Sequence, residues 1–201
     1  MVPEDAHAGN SASNANAAGL HVEALYQLGD LHDALGDARG AARFFEKVRA
    51  RVSNDCGVLR RLGNCAAKLG DVQKASAFYN EAHTVCPNDV DACVWLGSHH
   101  ARSERFEKAR AFFTRAALAE TRKTHRIKWR LAAASCLRKS GDSEAALAGY
   151  LTIHNEHPND VECLRHMAHV CGDLYLEDDA RSWGQVSLPN PESYNCLPIR
   201  D

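Results

Sequence analysis

Long apolar runs, net charge and motif-spaced cysteines are what this sequence has little of. No apolar stretch approaches the roughly 20 residues that a bilayer-crossing helix needs, so no membrane insertion is expected. The first residues also lack the basic and apolar blocks of a signal peptide, and a soluble, intracellular chain is expected. Lys and Arg number 24 against 26 Asp and Glu, a formal charge of −2, which leaves no overall pull toward nucleic acid or an anionic membrane. The eight cysteines form no CxxC pair and fall at irregular spacings in amphipathic stretches, so they read as reduced packing thiols. Cys65, Cys93, Cys136 and Cys171 are assigned to inward faces. A nucleophile elbow, a phosphate-binding glycine loop and a paired-carboxylate constellation are missing as well. The expectation is a chain that is not an enzyme, with no catalytic residue, cofactor, metal or small-molecule substrate.

What the sequence does contain is a period. Leu28-Gly29, Leu62-Gly63 and Leu96-Gly97 recur every 34 residues, and each glycine is followed twelve places later by Ala41, Ala75 or Ala109. That spacing is the tetratricopeptide unit, a helix-turn-helix that cannot bury its apolar face alone and must stack on its neighbours. Aromatics follow in phase at Phe45, Tyr79 and Phe113, then Val48, Ala82 and Ala116. A glycine inside a helix costs about 1 kcal/mol relative to alanine, so its return at one phase points to close backbone approach between helices. Gly36-Asp37, Gly70-Asp71 and Gly141-Asp142 read as a helix-ending glycine followed by an N-capping aspartate. A fourth unit places Ala134 at the glycine position and Ala146, Tyr150 and Ile153 after it; Pro87 and Pro158 close the second and fourth units. The step from Gly97 to Ala134 is 37 residues, and the polar stretch Thr121 to Arg126 is where a longer loop is expected.

The predicted fold is all-α, a right-handed superhelical solenoid of antiparallel helix pairs. Residues 1–19 read as disordered or frayed, and residues 20–184 as about five repeats at 22–55, 56–89, 90–126, 127–159 and a degenerate cap at 160–184. Residues 185–201, with Pro189, Pro191 and Pro198, read as an extended tail.

Four strings add a narrower resemblance: LYQLGDLHDALGD (25–37), VWLGSHH (94–100), IKWRLAAASCLRKSG (127–141) and HPNDVECLRHM (157–167). From about Leu25 to about Leu176 the sequence resembles the C-terminal repeats of the Polaris-type tetratricopeptide subunits of intraflagellar transport complex B, the eighty-eight kDa class. The resemblance implies a scaffold or adaptor that helps build a cilium or flagellum. It implies other complex-B subunits as partners and a place in the cytoplasm, at the ciliary base and in the cilium. The alternative is a generic peptide-binding co-chaperone module.

In tetratricopeptide stacks the first helix of each pair lines a concave groove. The predicted groove residues are Tyr26, Asp30, Arg60, Asn64, Lys68, Val94, Ser98, Arg102, Lys128, Leu131, Ser135, Lys139, Arg165 and His169, with Asp91, Glu162 and Asp173 in the same register. The middle units look basic, which suits an acidic or mixed amphipathic segment. Of the Lys, Asn, Asn, Lys, Arg set by which chaperone-binding repeats grip a carboxylate, Arg60, Asn64 and Lys128 resemble three, while Trp95 and Ala132 occupy the other places. Trp95 and Trp129 are read either as partner anchors or as packing between repeats. Cys163, His166 and His169 share a spacing of three that a zinc site could use, without an apparent fourth ligand.

Overall fold

The computed structural model describes residues 8–174, with side chains from residue 21 onward. Among the described residues there are only helices and their connections: α1 (Ala8–Ala34), α2 (Ala38–Arg49), α3 (Cys56–Lys68), α4 (Val72–Val85), α5 (Val90–Arg102), α6 (Phe106–Ala119), α7 (Lys123–Lys139), α8 (Ser143–Glu156) and α9 (Val161–Asp173). The helix α1 starts at Ala8, within the segment read as disordered or frayed. The second half of the fifth repeat and the tail at 185–201 lie outside the described residues.

Six of the helices, α2, α3, α4, α5, α8 and α9, begin where an aspartate satisfies an orphan N–H, whereas α6 and α7 start at Arg105 and Arg122 without a side-chain cap bond. The side chains of Asp37, Asp55, Asp71, Asp142 and Asp160 accept from the backbone N–H three residues on, at 2.8–3.1 Å. Asp89 does the same for α5, accepting from Ala92 N at 2.8 Å. Gly36, Gly70 and Gly141 take the left-handed conformation that ends a helix, with φ of 81°, 81° and 92°. The hairpin between α5 and α6 departs from this scheme. Glu104 stands in the glycine's place at φ 58°, and Arg105 occupies the capping position without a side-chain cap bond.

Two compact units, Met1–Ala92 and Cys93–Asp201, make up the chain. In the first, α1 packs on α2, α2 on α3 and α3 on α4, around Leu25, Ala41, Phe45, Val48, Val58, Leu62 and Cys65. In the second, α6 packs on α7, α7 on α8 and α8 on α9. Its core joins Tyr150, Ile153, Cys163, Met167 and Val170, with a further cluster of Ala109, Phe113 and Cys136. All four cysteines assigned to inward faces are buried.

The recurrent glycine faces an aromatic ring rather than bare backbone. A Cβ on Gly29 would stand 2.5 Å from the Phe45 ring, on Gly63 2.8 Å from Tyr79, and on Gly97 3.0 Å from Phe113. Each ring therefore occupies the volume that the glycine leaves open, inside its own hairpin. In the fourth repeat the same place holds Ala134, and Tyr150 is fully buried nearby.

The three residues inserted before the fourth repeat do not form the longer loop expected over Thr121–Arg126. They lengthen a helix: α7 has 17 residues where α5 has 13, and only residues 120–122 separate α6 from α7. Nothing in Lys123-Thr-His-Arg126 breaks a helix. The buried Glu120 carboxylate accepts from both the backbone N–H and the guanidinium of Arg122, each at 3.1 Å, which fixes the turn immediately before it.

Gly63→Val should destabilise the first unit by about 1–3 kcal/mol through overpacking against Tyr79, read as a lower chemical-denaturation midpoint. Glu104→Gly should instead stabilise the second unit by about 1 kcal/mol by relieving the left-handed residue, read as a raised melting temperature.

Candidate protein-binding site

In the first unit the predicted groove residues are already engaged, mostly with side chains outside the predicted set. Tyr26 and Arg60 hold the same register position in successive repeats, and each meets the capping aspartate of the next repeat. The Tyr26 hydroxyl donates to Asp55 Oδ1 at 3.3 Å; burial, then the Asp55 carboxylate, push its pKa up to about 12. Arg60 Nη1 donates to Asp89 at 3.2 Å and to Asp91 at 2.6 Å. Lys68 donates to Asp33 at 2.6 Å, and Asn64 reaches the same carboxylate at 3.5 Å. Asp30 is gripped by Arg61 through Nε at 2.6 Å and Nη2 at 3.1 Å, while that guanidinium lies 4.9 Å over the Tyr26 ring.

The basic strip read from the sequence is therefore corrected in this unit. Arg60 and Lys68 are compensated by the chain's own carboxylates, Lys68 by Asp33 on the preceding first helix and Arg60 by Asp89 and Asp91 at the start of the following one. Arg60 and Asn64 are likewise occupied, which removes the ready-made half of a carboxylate clamp.

The second unit is arranged differently. Val94 is half-buried and Leu131 only 4% exposed, so Leu131 is a core residue packed with Tyr150 and Met167 rather than a groove residue. Both stand at the register of Tyr26 and Arg60, but Leu131 turns to the core where the earlier residues turn to a cap. Ser98 is half-buried, and its carbonyl accepts from the Nε of exposed Arg102 at 3.3 Å. Ser135 is half-buried; Lys139, Arg165 and His169 are exposed, with Arg165 3.8 Å from Glu162. Lys128 is exposed and lies 5.2 Å over Trp129. Trp129 stacks on Phe113 at 6.4 Å and Trp95 on His99 at 5.2 Å, so both indoles have packing roles. Among the described residues no carboxylate lies within ion-pair distance of Lys128 or Lys139. Asp173 instead receives Arg138 at 3.0 Å.

The Cys163, His166 and His169 spacing does not converge. Cys163 is fully buried with its thiol donating to the Tyr150 carbonyl at 3.3 Å, His166 stacks on the Tyr150 ring at 5.2 Å, and His169 faces solvent. Burial holds the His166 imidazole below its ordinary pKa. Among the described residues no group of three His, Cys, Asp or Glu side chains could hold a metal ion.

Sequence reading missed Arg61, Asp33, Asp55 and Asp89. A signal for them exists: the polar pairs of the first unit are separated by 29, 31 or 35 residues, close to the repeat period. A base and an acid one repeat apart on adjoining helices are neighbours in any such stack.

With this geometry in place, the relatives can be set beside it. Residues 23–55 and 56–89 each match the tetratricopeptide repeat. One crystal structure of MamA superposes on 90% of this chain and 100% of its own, with a TM-score of 0.73 at 18% identity. A MamA fragment from Desulfovibrio magneticus RS-1 covers 87% of this chain and 97% of its own, with a TM-score of 0.72 at 14% identity. These likenesses establish the all-α tetratricopeptide fold. Human intraflagellar transport protein 88 homolog is 46% identical over 52 residues, 26% of this chain and 6% of that protein. The chain thus matches a small fraction of the length of this relative.

Arg60→Glu would set a third carboxylate beside Asp89 and Asp91. The melting temperature should fall in low salt, and the deficit should shrink as ionic strength is raised. A deficit independent of salt would show that Arg60 acts through packing of its stem instead.

Proposed function

We propose that this chain is a non-catalytic protein-binding scaffold of intraflagellar transport, contributing tetratricopeptide repeats to complex B during assembly of a cilium or flagellum. The observation that carries the reading is the 46% identity over 52 residues with human intraflagellar transport protein 88 homolog. Repeats diverge at solvent-facing positions while keeping the small-residue and aromatic phases. The MamA structures share the fold at 14–19% identity, so 46% identity over a stretch longer than one repeat supports kinship beyond the fold. The partners on this reading are other complex-B subunits, and the place of action is the cytoplasm, the ciliary base and the cilium. Of the described residues, no helix is long and apolar enough to cross a membrane.

The co-chaperone alternative requires free cations for a terminal carboxylate, and the Arg60 and Asn64 contacts to Asp89, Asp91 and Asp33 count against it. The immobilised chain should capture one or more purified complex-B subunits. It should show no preference for peptides with a free acidic C-terminus over their amidated forms. Failure to retain any subunit, or a clear preference for the free carboxylate, reverses the assignment.

A further inference from the structure

The fourth repeat is built with two bulky residues missing. At the place held by Leu28, Leu62 and Leu96 it has Ala133, and at the place held by Phe44, Phe78 and Phe112 it has Gly149. In the first unit those positions are filled: Leu62 is buried, and Phe78 on α4 packs against the cluster of α1, α2 and α3 with the Arg49 guanidinium 5.4 Å over its ring. In the second unit the corresponding space is an open groove of about 460 Å³ between α6 and α8, floored by α7. Ala133, Ala134, Leu137, Gly149 and Ile153 line it, and Leu118 stands at its edge, 83% exposed.

Its remaining wall is cationic. Arg110, Arg126 and Arg130 all border the groove. Arg110 pairs with Glu107 at 3.2 Å and Arg130 with both Glu156 oxygens, but among the described residues no carboxylate lies within ion-pair distance of Arg126. An apolar trough of the volume that ordinarily takes a ligand is rimmed by three arginines, of which Arg126 feels the Glu156 carboxylate only at a distance and makes no ion pair among the described residues; it fits apolar side chains flanked by negative charge.

We propose that this groove docks an acidic amphipathic helix of a protein partner, which inserts a Leu or Phe over Gly149 and Ala133 and places a carboxylate beside Arg126. Helix-in-groove recognition supplies both halves of that fit, apolar anchors on one helical face and acids beside them. The guest side chain takes the place of the phenylalanine that the other repeats carry themselves. This deepens the scaffold reading and rests on it, but it does not depend on the ciliary assignment.

The test is fluorescence anisotropy of the full chain with a labelled acidic helical peptide carrying Leu and Phe at i, i+3 and i+7. The wild-type chain should bind it, and Gly149→Phe should weaken binding at least about tenfold. A Cβ at Gly149 would lie 3.3 Å from that of Ala134, so Ala133→Leu serves as a second filling variant whose counterpart, Leu62, is well packed. Ala133→Leu should keep the wild-type melting temperature, which separates filling of the groove from damage to the fold. Arg126→Glu should weaken binding several-fold, and the loss should be smaller at high salt. Unchanged affinity in both filling variants overturns the proposal, as does binding of a long-chain fatty carboxylate without binding of the peptide. Peptide binding without capture of any complex-B subunit would remove the ciliary reading and leave the groove standing. Capture by the wild-type chain with no effect of filling on the peptide would remove the groove alone.

Discussion

Everything in this chain hangs on a lock between a missing side chain and a ring. The first helix of a hairpin carries a glycine and the second carries an aromatic, and the ring sits where a methyl group would otherwise be. At Gly29, Gly63 and Gly97 that methyl would be no more than 3.0 Å from Phe45, Tyr79 or Phe113, inside the distance at which atoms can pack. Closing the hairpin thus costs helix propensity at one residue and gains a fully enclosed ring. The same closure buries the alanines at Ala41, Ala75 and Ala109, so small residues on both helices act together.

Charge is organised by the same repeat. A polar residue on one first helix meets an aspartate about one period away, and in the first unit the outcome is a run of satisfied pairs: Tyr26 with Asp55, Arg60 with Asp89 and Asp91, Lys68 with Asp33. Exposed ion pairs of this kind contribute little stability individually, about 0–1 kcal/mol each. Their larger effect is on recognition, because a cation already paired has less to offer a guest. In the second unit apolar Val94 and Leu131 occupy that register, and among the described residues no carboxylate lies within ion-pair distance of Lys128 or Lys139. The units differ in the pairing of this register while sharing a backbone plan.

The departures from the repeat are as informative as the repeat. Where glycine gives way to Glu104, the turn keeps its left-handed geometry and the strain falls on a residue with a side chain. Where the glycine position becomes Ala134, the added methyl faces Gly149 on α8. That accommodation removes a phenylalanine from the surface between α6 and α8 and leaves a space the other repeats fill.

Several features were legible in the sequence because they are local and periodic. The capping aspartates and left-handed glycines of the turns act within four residues, and the glycine-to-aromatic spacing repeats in phase, so hairpins, register and the buried cysteines followed from residue order. Helix length before the fourth repeat did not, since Thr121 to Arg126 lacks a breaker and the start of α7 is set by the Glu120 carboxylate bound to Arg122. Register could assign Leu131 to a face but not to a depth, which depends on the Tyr150 and Met167 packed around it. The neighbours Arg60 and Arg61 differ in which carboxylates and rings lie within reach. Period and phase are properties of the chain alone, whereas pairing, burial and empty volume exist only once separate helices face each other.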